Sequence, residues 1–242
     1  MKEIDAEGLH YRDLNRALRD LVAGGAKRIL IKNVCGQRFI GDAIAGDAEI
    51  IVEGVPGNDL ASFMDGPRII VQGNAQDAVG NTMNSGEVII YGDAGDIVGY
   101  AMRGGRIFIQ GNVGYRVGIH MKAYEAFFPV VIAGGGARDF LGEYMAGGLL
   151  VILGLNGEET AGDFIGTGMH GGALFLRGEV EPARLGREVK RGEVTPQDTA
   201  LLQRHIGDFC ARFDLDPEEV FRKPFSKIYP YSHRPYGTIY AY

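Results

Sequence analysis

Residues 73–121 read GNAQDAVGNTMNSGEVIIYGDAGDIVGYAMRGGRIFIQGNVGYRVGIHM, and this stretch repeats itself every 19 residues. Gly80, Gly99 and Gly118 mark the same place in successive units. A fixed period of about 20 residues is typical of proteins built from stacked repeats. The chain has 38 glycines among its 242 residues, which fits a fold with many tight backbone corners.

The same register continues on both sides of this stretch. Gly142 and Gly166 follow Gly118 at steps of 24 residues, which is the 19-residue unit with five residues inserted. The corresponding turns read DFLGEYMAGGLLVILG (139–154) and DFIGTGMHGGALFLRG (163–178). In the earlier turn GNDLASFMDGPRIIVQG (57–73), Ala61 occupies the glycine position, and a degenerate first turn lies around Gly36–Gly54.

Each unit carries a short apolar run bounded by glycine, such as residues 88–90 and 107–109. A strand this short cannot bury itself alone, so the units must stack on one another. The other half of the unit lacks the pattern of a leucine-rich repeat, and a propeller blade needs roughly twice the residues. The prediction is an all-β solenoid: a right-handed parallel β-helix of about six to seven coils with a short N-terminal α/β cap and C-terminal helices.

Two apolar columns emerge when the coils are aligned on the corner residue. Three residues after each corner lie Met64, Met83, Met102, Met121, Met145 and Met169. One residue before each corner lie Leu60, Val79, Val98, Val117, Leu141 and Ile165. Equivalent positions stack along a solenoid axis, so both columns are predicted to be core, with a methionine metal site as the alternative for the first.

An acidic ladder lies three residues before the corner. Its members are Asp77, Asp96, Asp139 and Asp163. Aspartate side chains can accept hydrogen bonds from the amides of their own turn, so turn capping is predicted here. Stacked carboxylates repel one another unless they are paired, capped or metal-bound, which leaves calcium binding as the alternative.

The regions outside the repeat are predicted to cap its two ends. Three parts are expected: an N-terminal helix-strand cap (1–34), the β-helix (35–180), and a C-terminal helical segment with an aromatic tail (181–242). In the first part, Leu14, Leu18 and Leu21 share one helical face, and Gly24 begins the stop signal.

Two helix starts and a tyrosine-rich tail are predicted after the last coil. Residues 195–198 read TPQD and residues 216–219 read DPEE, each a capping residue followed by proline. The tail contains Tyr229, Tyr231, Tyr236, Tyr240 and Tyr242. It is expected to be extended and either to wrap the β-helix or to dock a partner, because tyrosine favours interfaces.

Charge and cysteine content exclude several classes of protein. The net charge is −6, and the acidic excess lies in the repeat, which disfavours nucleic-acid binding. Cys35 and Cys210 are isolated, which fits neither a disulfide framework nor a zinc or iron–sulfur site. With no signal peptide or membrane span in the sequence, a cytoplasmic protein in a reducing compartment is expected.

No catalytic, cofactor-binding or metal-binding residue is assigned from the sequence. The five histidines, His10, His120, His170, His205 and His233, form no spaced ligand pair. Gly134–Gly136 follows an apolar run but lacks the lysine of a phosphate-binding loop. The segment EAFFPVV (125–131) carries two exposed-looking phenylalanines, Phe127 and Phe128, which indicate either partner contact or local packing. The chain is expected to bind no flavin itself.

The repeat resembles the GXGXG domain at the C-terminus of the large glutamate synthase subunit. The resemblance rests on residues 73–121, on FLGEYMAGG (140–148) and on GTGMHGG (166–172). It implies a non-catalytic scaffold that braces glutaminase-type and FMN-binding synthase partners, the latter with an iron–sulfur cluster, for glutamate formation from glutamine and 2-oxoglutarate. The family's catalytic cysteine belongs to the glutaminase, so Cys35 inherits no role.

Two other interpretations remain at this stage. A similar repeat occurs in the β-helical subunit of formylmethanofuran dehydrogenase, another structural β-helix, although the helix start at 195–198 looks more like glutamate synthase. The third is a free-standing carbohydrate-active β-helix enzyme, which an assay on acidic polysaccharides would reveal. Homo-oligomerisation is left open by the sequence.

Overall fold

One sheet of eleven strands runs through the computed structural model, which describes residues 1–157 and 159–231. The strands are β1 (Lys2–Asp5), β2 (Arg28–Cys35), β3 (Glu49–Val55), β4 (Asp65–Val71), β5 (Ser85–Ile90), β6 (Arg106–Ile109), β7 (Val130–Ala133), β8 (Ala146–Ile152), β9 (Gly171–Arg177), β10 (Val189–Gly192) and β11 (Phe225–Pro230). Strands β1 to β9 pair in chain order and are all parallel, and the sheet finishes in the order β9, β11, β10. The predicted parallel β-solenoid is confirmed.

Each coil contributes one strand, and equivalent residues pair across neighbouring coils. The central inward-facing column is fully buried and contains Ile50, Ile69, Val88, Ile107, Val131, Leu150 and Leu174. With one strand per coil, β3 to β9 correspond to about seven turns. The register survives both 24-residue steps because the extra residues leave the coil as loops between strands.

Hydrogen bonds between coils hold the corners in line. The backbone N–H at each corner donates a hydrogen bond of 2.7–2.8 Å to the backbone carbonyl oxygen of the second-column residue in the preceding coil. The pairs are Gly80–Leu60, Gly99–Val79, Gly118–Val98, Gly142–Val117, Gly166–Leu141 and Gly186–Ile165. All six predicted methionines and all six residues of the second column are fully buried. Both core columns are therefore confirmed, and burying each such side chain contributes about 1.5–3 kcal/mol.

The inner face of the sheet is buried throughout, and the outer face is buried from β5 to β9, where the strands read as apolar runs. The inner face belongs to the solenoid core. The outer face, at Phe108 and Phe175, packs under helix α2 (Pro196–Phe213), with Phe209 as its largest buried contact. The Phe108 and Phe209 ring centroids lie 5.8 Å apart in an edge-to-face arrangement.

The N-terminal cap consists of a helix and two strands. Helix α1 (Tyr11–Ala23) buries Leu14 and Leu18, and Leu21 packs partly buried against the same core. Gly24 closes the helix as expected. The sequence pattern did not reveal β1, which is only four residues long and pairs with β2.

The C-terminal cap covers the last coil and the outer sheet face. Thr195 and Asp198 form a reciprocal capping box at the start of α2, and Asp216 caps α3 (Pro217–Phe221), so both predicted helix starts are confirmed. Strand β11 lies antiparallel between β9 and β10, so the first part of the tail wraps the sheet. Tyr236, Tyr240 and Tyr242 lie outside the described residues.

Among the residues described, no helix combines the length and apolarity needed to cross a membrane.

Candidate functional site

The predicted aspartate ladder joins successive coils. Asp77 Oδ1 accepts a hydrogen bond from the Asp96 backbone N–H at 2.9 Å, and Asp96 Oδ1 accepts from the Tyr115 N–H at 2.9 Å. Asp139 Oδ1 accepts from the Asp163 N–H at the same distance. The sequence interpretation placed these bonds within each aspartate's own turn, and that detail is wrong. The side chains of Asp77, Asp96 and Asp139 each reach an amide of the next coil, which stacking brings within hydrogen-bond distance.

A second ladder of the same kind was missed. Asn74 Oδ1 accepts from the Asp93 N–H at 2.9 Å, Asp93 Oδ1 from the Asn112 N–H at 2.6 Å, and Asn112 Oδ1 from the Gly136 N–H at 2.8 Å. The signal was present in the sequence as an Asn or Asp after Gly73, Gly92 and Gly111. The Gly134–Gly136 segment thus serves the coil stack.

The ladder carboxylates of the described residues show no grouping of metal ligands. Within residues 1–157 and 159–231, no three His, Cys, Asp or Glu side chains are placed to hold a metal ion. The ladder aspartates bond to amides in a repeating pattern, which keeps their charges one coil apart. The calcium alternative gains no ligand set among these residues, and the methionine metal alternative stays a prediction.

An alternating ion ladder crosses the sheet at one strand position, and the sequence analysis did not identify it. Its members in register are Arg28, Glu49, Arg68, Glu87 and Arg106. Arg28 Nε lies 2.9 Å from Glu49 Oε1, Arg68 Nε lies 2.7 Å from Glu87 Oε2, and Arg106 Nη2 lies 3.2 Å from Glu87 Oε1. Alternation of sign removes the repulsion that like charges suffer when they stack.

The ion ladder ends beneath helix α2 and anchors it. Glu87 is buried and also meets Arg212 of α2, whose Nη2 lies 3.1 Å from Glu87 Oε2. Arg106 meets Asp208 of α2 at 2.8 Å. Tyr91 donates a hydrogen bond from its hydroxyl to the Arg212 carbonyl oxygen at 3.0 Å. Polar contacts therefore fix the helix on the sheet, and the apolar contacts supply the burial.

The first five-residue insertion forms an exposed hairpin. Tyr124 and Phe127 exchange both backbone hydrogen bonds, at 3.0 and 2.9 Å, in the loop between β6 and β7. Tyr124 is 61%, Phe127 47% and Phe128 43% exposed. Three large aromatic side chains in one short loop confirm the predicted exposure of Phe127 and Phe128. Such patches are enriched at interfaces.

The hairpin and helix α2 enclose a groove of about 530 Å³. This hairpin groove is lined by Gly105, Arg106, Ala126, Phe128, Val130, Leu201, Arg204 and His205. His205 is only 8% exposed, its Nδ1 has no hydrogen-bond partner, and its ring stacks at 6.5 Å on Phe128. Burial, followed by the charge of Arg204, lowers the pKa of His205 below its ordinary value. The imidazole is therefore biased towards its neutral form.

The other histidines and the cysteines are dispersed. His10 caps α1, His120 stacks on Tyr144 with centroids 5.2 Å apart, and His170 Nδ1 lies 3.2 Å from the Gly168 carbonyl oxygen. His233 lies outside the described residues. Cys35 is exposed and Cys210 buried, and both are free thiols.

A parallel β-solenoid capped by helices, in which repeated side chains bond between neighbouring coils, defines a class of stacked-coil domains. The GXGXG motif family model matches residues 25–231, and the chain belongs to this family, the type of domain found at the C-terminus of glutamate synthase. It is 46% identical to the Methanocaldococcus jannaschii protein named Uncharacterized protein MJ1350, over 98% of this chain and 95% of that one.

The fold also has a solved counterpart. It is similar to a chain in the crystal structure of the formyltransferase/hydrolase complex (FhcABCD) from Methylorubrum extorquens in complex with methylofuran. The TM-score is 0.63, the identity 24%, and the match covers 83% of this chain and 72% of that one. At this identity the similarity concerns the fold.

Proposed function

We propose that this chain is a non-catalytic scaffold subunit that braces glutaminase-type and FMN-binding synthase partners of a glutamate synthase-type enzyme. The observation that carries the proposal is the GXGXG family match over residues 25–231. In this proposal the partners supply all the chemistry: glutamine hydrolysis, and the reductive use of the released ammonia with FMN and an iron–sulfur cluster. The chain is proposed to act in the cytoplasm.

The distribution of side chains supports a structural role. The two apolar columns, the two ladders and the ion ladder use the unusual residues of the repeat for stacking. The hairpin carries three exposed aromatic side chains that take no part in this stacking: Tyr124, Phe127 and Phe128. A monomeric surface gains nothing from three exposed aromatic rings, whereas an interface does.

The proposal is tested by reconstituting the reaction. The chain alone is expected to show no glutaminase or glutamate-forming activity. Added to purified glutaminase and flavin subunits from the same cell, it should raise glutamate formation from glutamine and 2-oxoglutarate. Unchanged glutamate formation, together with no association by size-exclusion chromatography, would contradict the proposal.

A second candidate is a β-helix subunit similar to that of formylmethanofuran dehydrogenase. The fold similarity to a chain of the formyltransferase/hydrolase complex favours it. In that case the chain should associate with formyl-transferring subunits and not with a glutaminase, which co-purification with each purified set separates. A free-standing carbohydrate-active enzyme is the minor alternative, and turnover of acidic polysaccharides by the lone chain would support it.

A further inference from the structure

The hairpin groove has a built interior rather than a bare apolar surface. We infer that it docks a segment of a partner protein in which a carboxylate lies beside an apolar or aromatic side chain. The inference rests on the proposed function, since it names the place where a partner meets this scaffold. It adds the chemistry of the contact, which the family match does not supply.

The wall of the groove contains a buried side chain with an unsatisfied polar atom. His205 is more than nine-tenths buried, and its Nδ1 has no hydrogen-bond partner. An unpaired buried polar atom costs about 1–3 kcal/mol, so such atoms are rare unless a ligand or water completes them. Because His205 lines the groove, the groove wall carries a polar side chain whose hydrogen bonding is incomplete.

The charged side chains that line the groove are all basic. The groove lining contains Arg106, Arg204 and His205 and no carboxylate, although the chain as a whole is acidic. Arg106 is already compensated by Glu87 and Asp208. Arg204 has no ion-pair partner among the residues that the structure describes, and it stands on the exposed side of α2. A carboxylate on the partner segment complements this free guanidinium, which can bind both of its oxygens.

An apolar floor lies beside these charges. Phe128, Val130 and Leu201 line the same groove, and Phe128 leaves 43% of its surface exposed. An apolar or aromatic side chain next to the carboxylate would cover this floor. Aromatic and arginine side chains together are the usual composition of strong interface contacts.

The chemistry is tested first on the isolated chain, without any partner. The probes are the capped tripeptides Phe-Asp-Phe and Phe-Asn-Phe, titrated while the His205 ring signals are followed by NMR and assigned by their loss in His205→Gln. The expected result is a saturable shift with the aspartate peptide, a shift at least about tenfold weaker with the asparagine peptide, and loss of both in Arg204→Glu. Equal responses to the two peptides, or none to either, would overturn the inference.

The second arm measures binding to the intact partner proteins. Arg204→Glu and Phe128→Ala should each weaken partner binding at least about tenfold. The matched controls Arg187→Glu and Phe63→Ala, which change exposed residues elsewhere, should leave binding within about twofold. If wild type binds its partners and the groove variants bind equally well, the docking site is wrong while the scaffold function stands. If wild type binds no such partner but the peptide titration succeeds, the scaffold proposal fails and the groove chemistry stands.

Discussion

At each coil corner, three residues adopt a left-handed backbone and only the middle one is regularly glycine. Around Gly80 the φ angles are 61° at Ala78, 69° at Gly80 and 53° at Thr82. Such angles are uncommon for residues other than glycine, and most of all for branched ones. A positive φ therefore does not by itself select glycine in this fold.

The space on the inner side of the corner determines whether the middle residue must be glycine. A Cβ on Gly80 would collide with Ile107 Cδ1, whereas a Cβ on Gly99 would lie 3.1 Å from Val131 Cγ2. Ala61 occupies the middle position with φ 61° and is fully buried. Glycine is thus required where the strand side chain facing the corner is long.

Two chemically identical substitutions are therefore expected to lower the stability by different amounts. Gly80→Ala should lower the free energy of unfolding by about 2–4 kcal/mol, because left-handed strain and overpacking add. Gly99→Ala, with the shorter Val131 opposite, should cost only about 1–2 kcal/mol. Urea denaturation of both variants measures the difference, and Ile107→Val should partly rescue Gly80→Ala. Equal losses without rescue would show that strain alone operates.

A second residue-scale prediction concerns pH. Burial lowers the pKa of His205 in the folded state, whereas the same histidine in the unfolded chain titrates at about 6.5. At pH values between these two pKa values, the unfolded chain therefore binds more protons than the folded chain. Stability contributed by the neutral imidazole is present above about pH 6.5 and is lost as the pH falls through this window. Asp208 opposes the effect, while Arg204 and Arg106 reinforce it.

The measurement compares wild type with His205→Gln. The difference in their free energies of unfolding, from urea titrations at pH 7.5 and pH 5.5, should shift in favour of the variant as the pH falls. Curves that remain parallel over this range would contradict the prediction. The substitution removes the titrating ring and leaves the other groups unchanged, so their contributions cancel in the difference.

At the scale of elements, the ion ladder couples the sheet to helix α2. Glu87→Gln removes the carboxylate shared by Arg68, Arg106 and Arg212 and leaves three cations together. The expected loss is about 1–3 kcal/mol in the free energy of unfolding, since these arginines retain some contact with water. Glu49→Gln, in the same column but more exposed, is the matched control and should cost at most about 1 kcal/mol. A larger loss for Glu49→Gln would contradict the anchoring role of Glu87.

The sequence predicts those contacts that are related by the 19-residue repeat, and it does not predict contacts between distant segments that the repeat does not relate. The core columns were predictable because the repeat places their members one coil apart, and the ion ladder could have been read from the same spacing at Arg68, Glu87 and Arg106. The hairpin groove could not, because its two walls lie about 75 residues apart in sequence and no repeat relates them. The insertion of β11 between β9 and β10 is a long-range pairing of the same kind.

At the scale of the whole molecule, the aromatic tail consists of two parts that different deletions separate: residues 225–231, which contain β11, and residues 232–242. Tyr229 and Pro230 belong to β11 and pair with β10, so a deletion beginning at Tyr229 would damage the sheet itself. Deleting residues 225–242 removes β11 with buried Ile228 and should lower the melting temperature by roughly 10 °C.

The shorter deletion tests the docking role of the tail. Removing residues 232–242 leaves β11 intact and should shift the melting temperature by less than about 2 °C while weakening partner assembly. Thermal unfolding and partner titration of both truncations provide the comparison. Unweakened assembly after the shorter deletion would restrict the docking role to the hairpin.

Native mass spectrometry of the chain co-expressed with the glutaminase-type and FMN-binding subunits would show whether the chain works as a bound scaffold. We expect one assembly that contains all three chains in fixed stoichiometry, and separate partner subunits when this chain is omitted. Partners that assemble equally well without it, with this chain remaining free, would contradict the account.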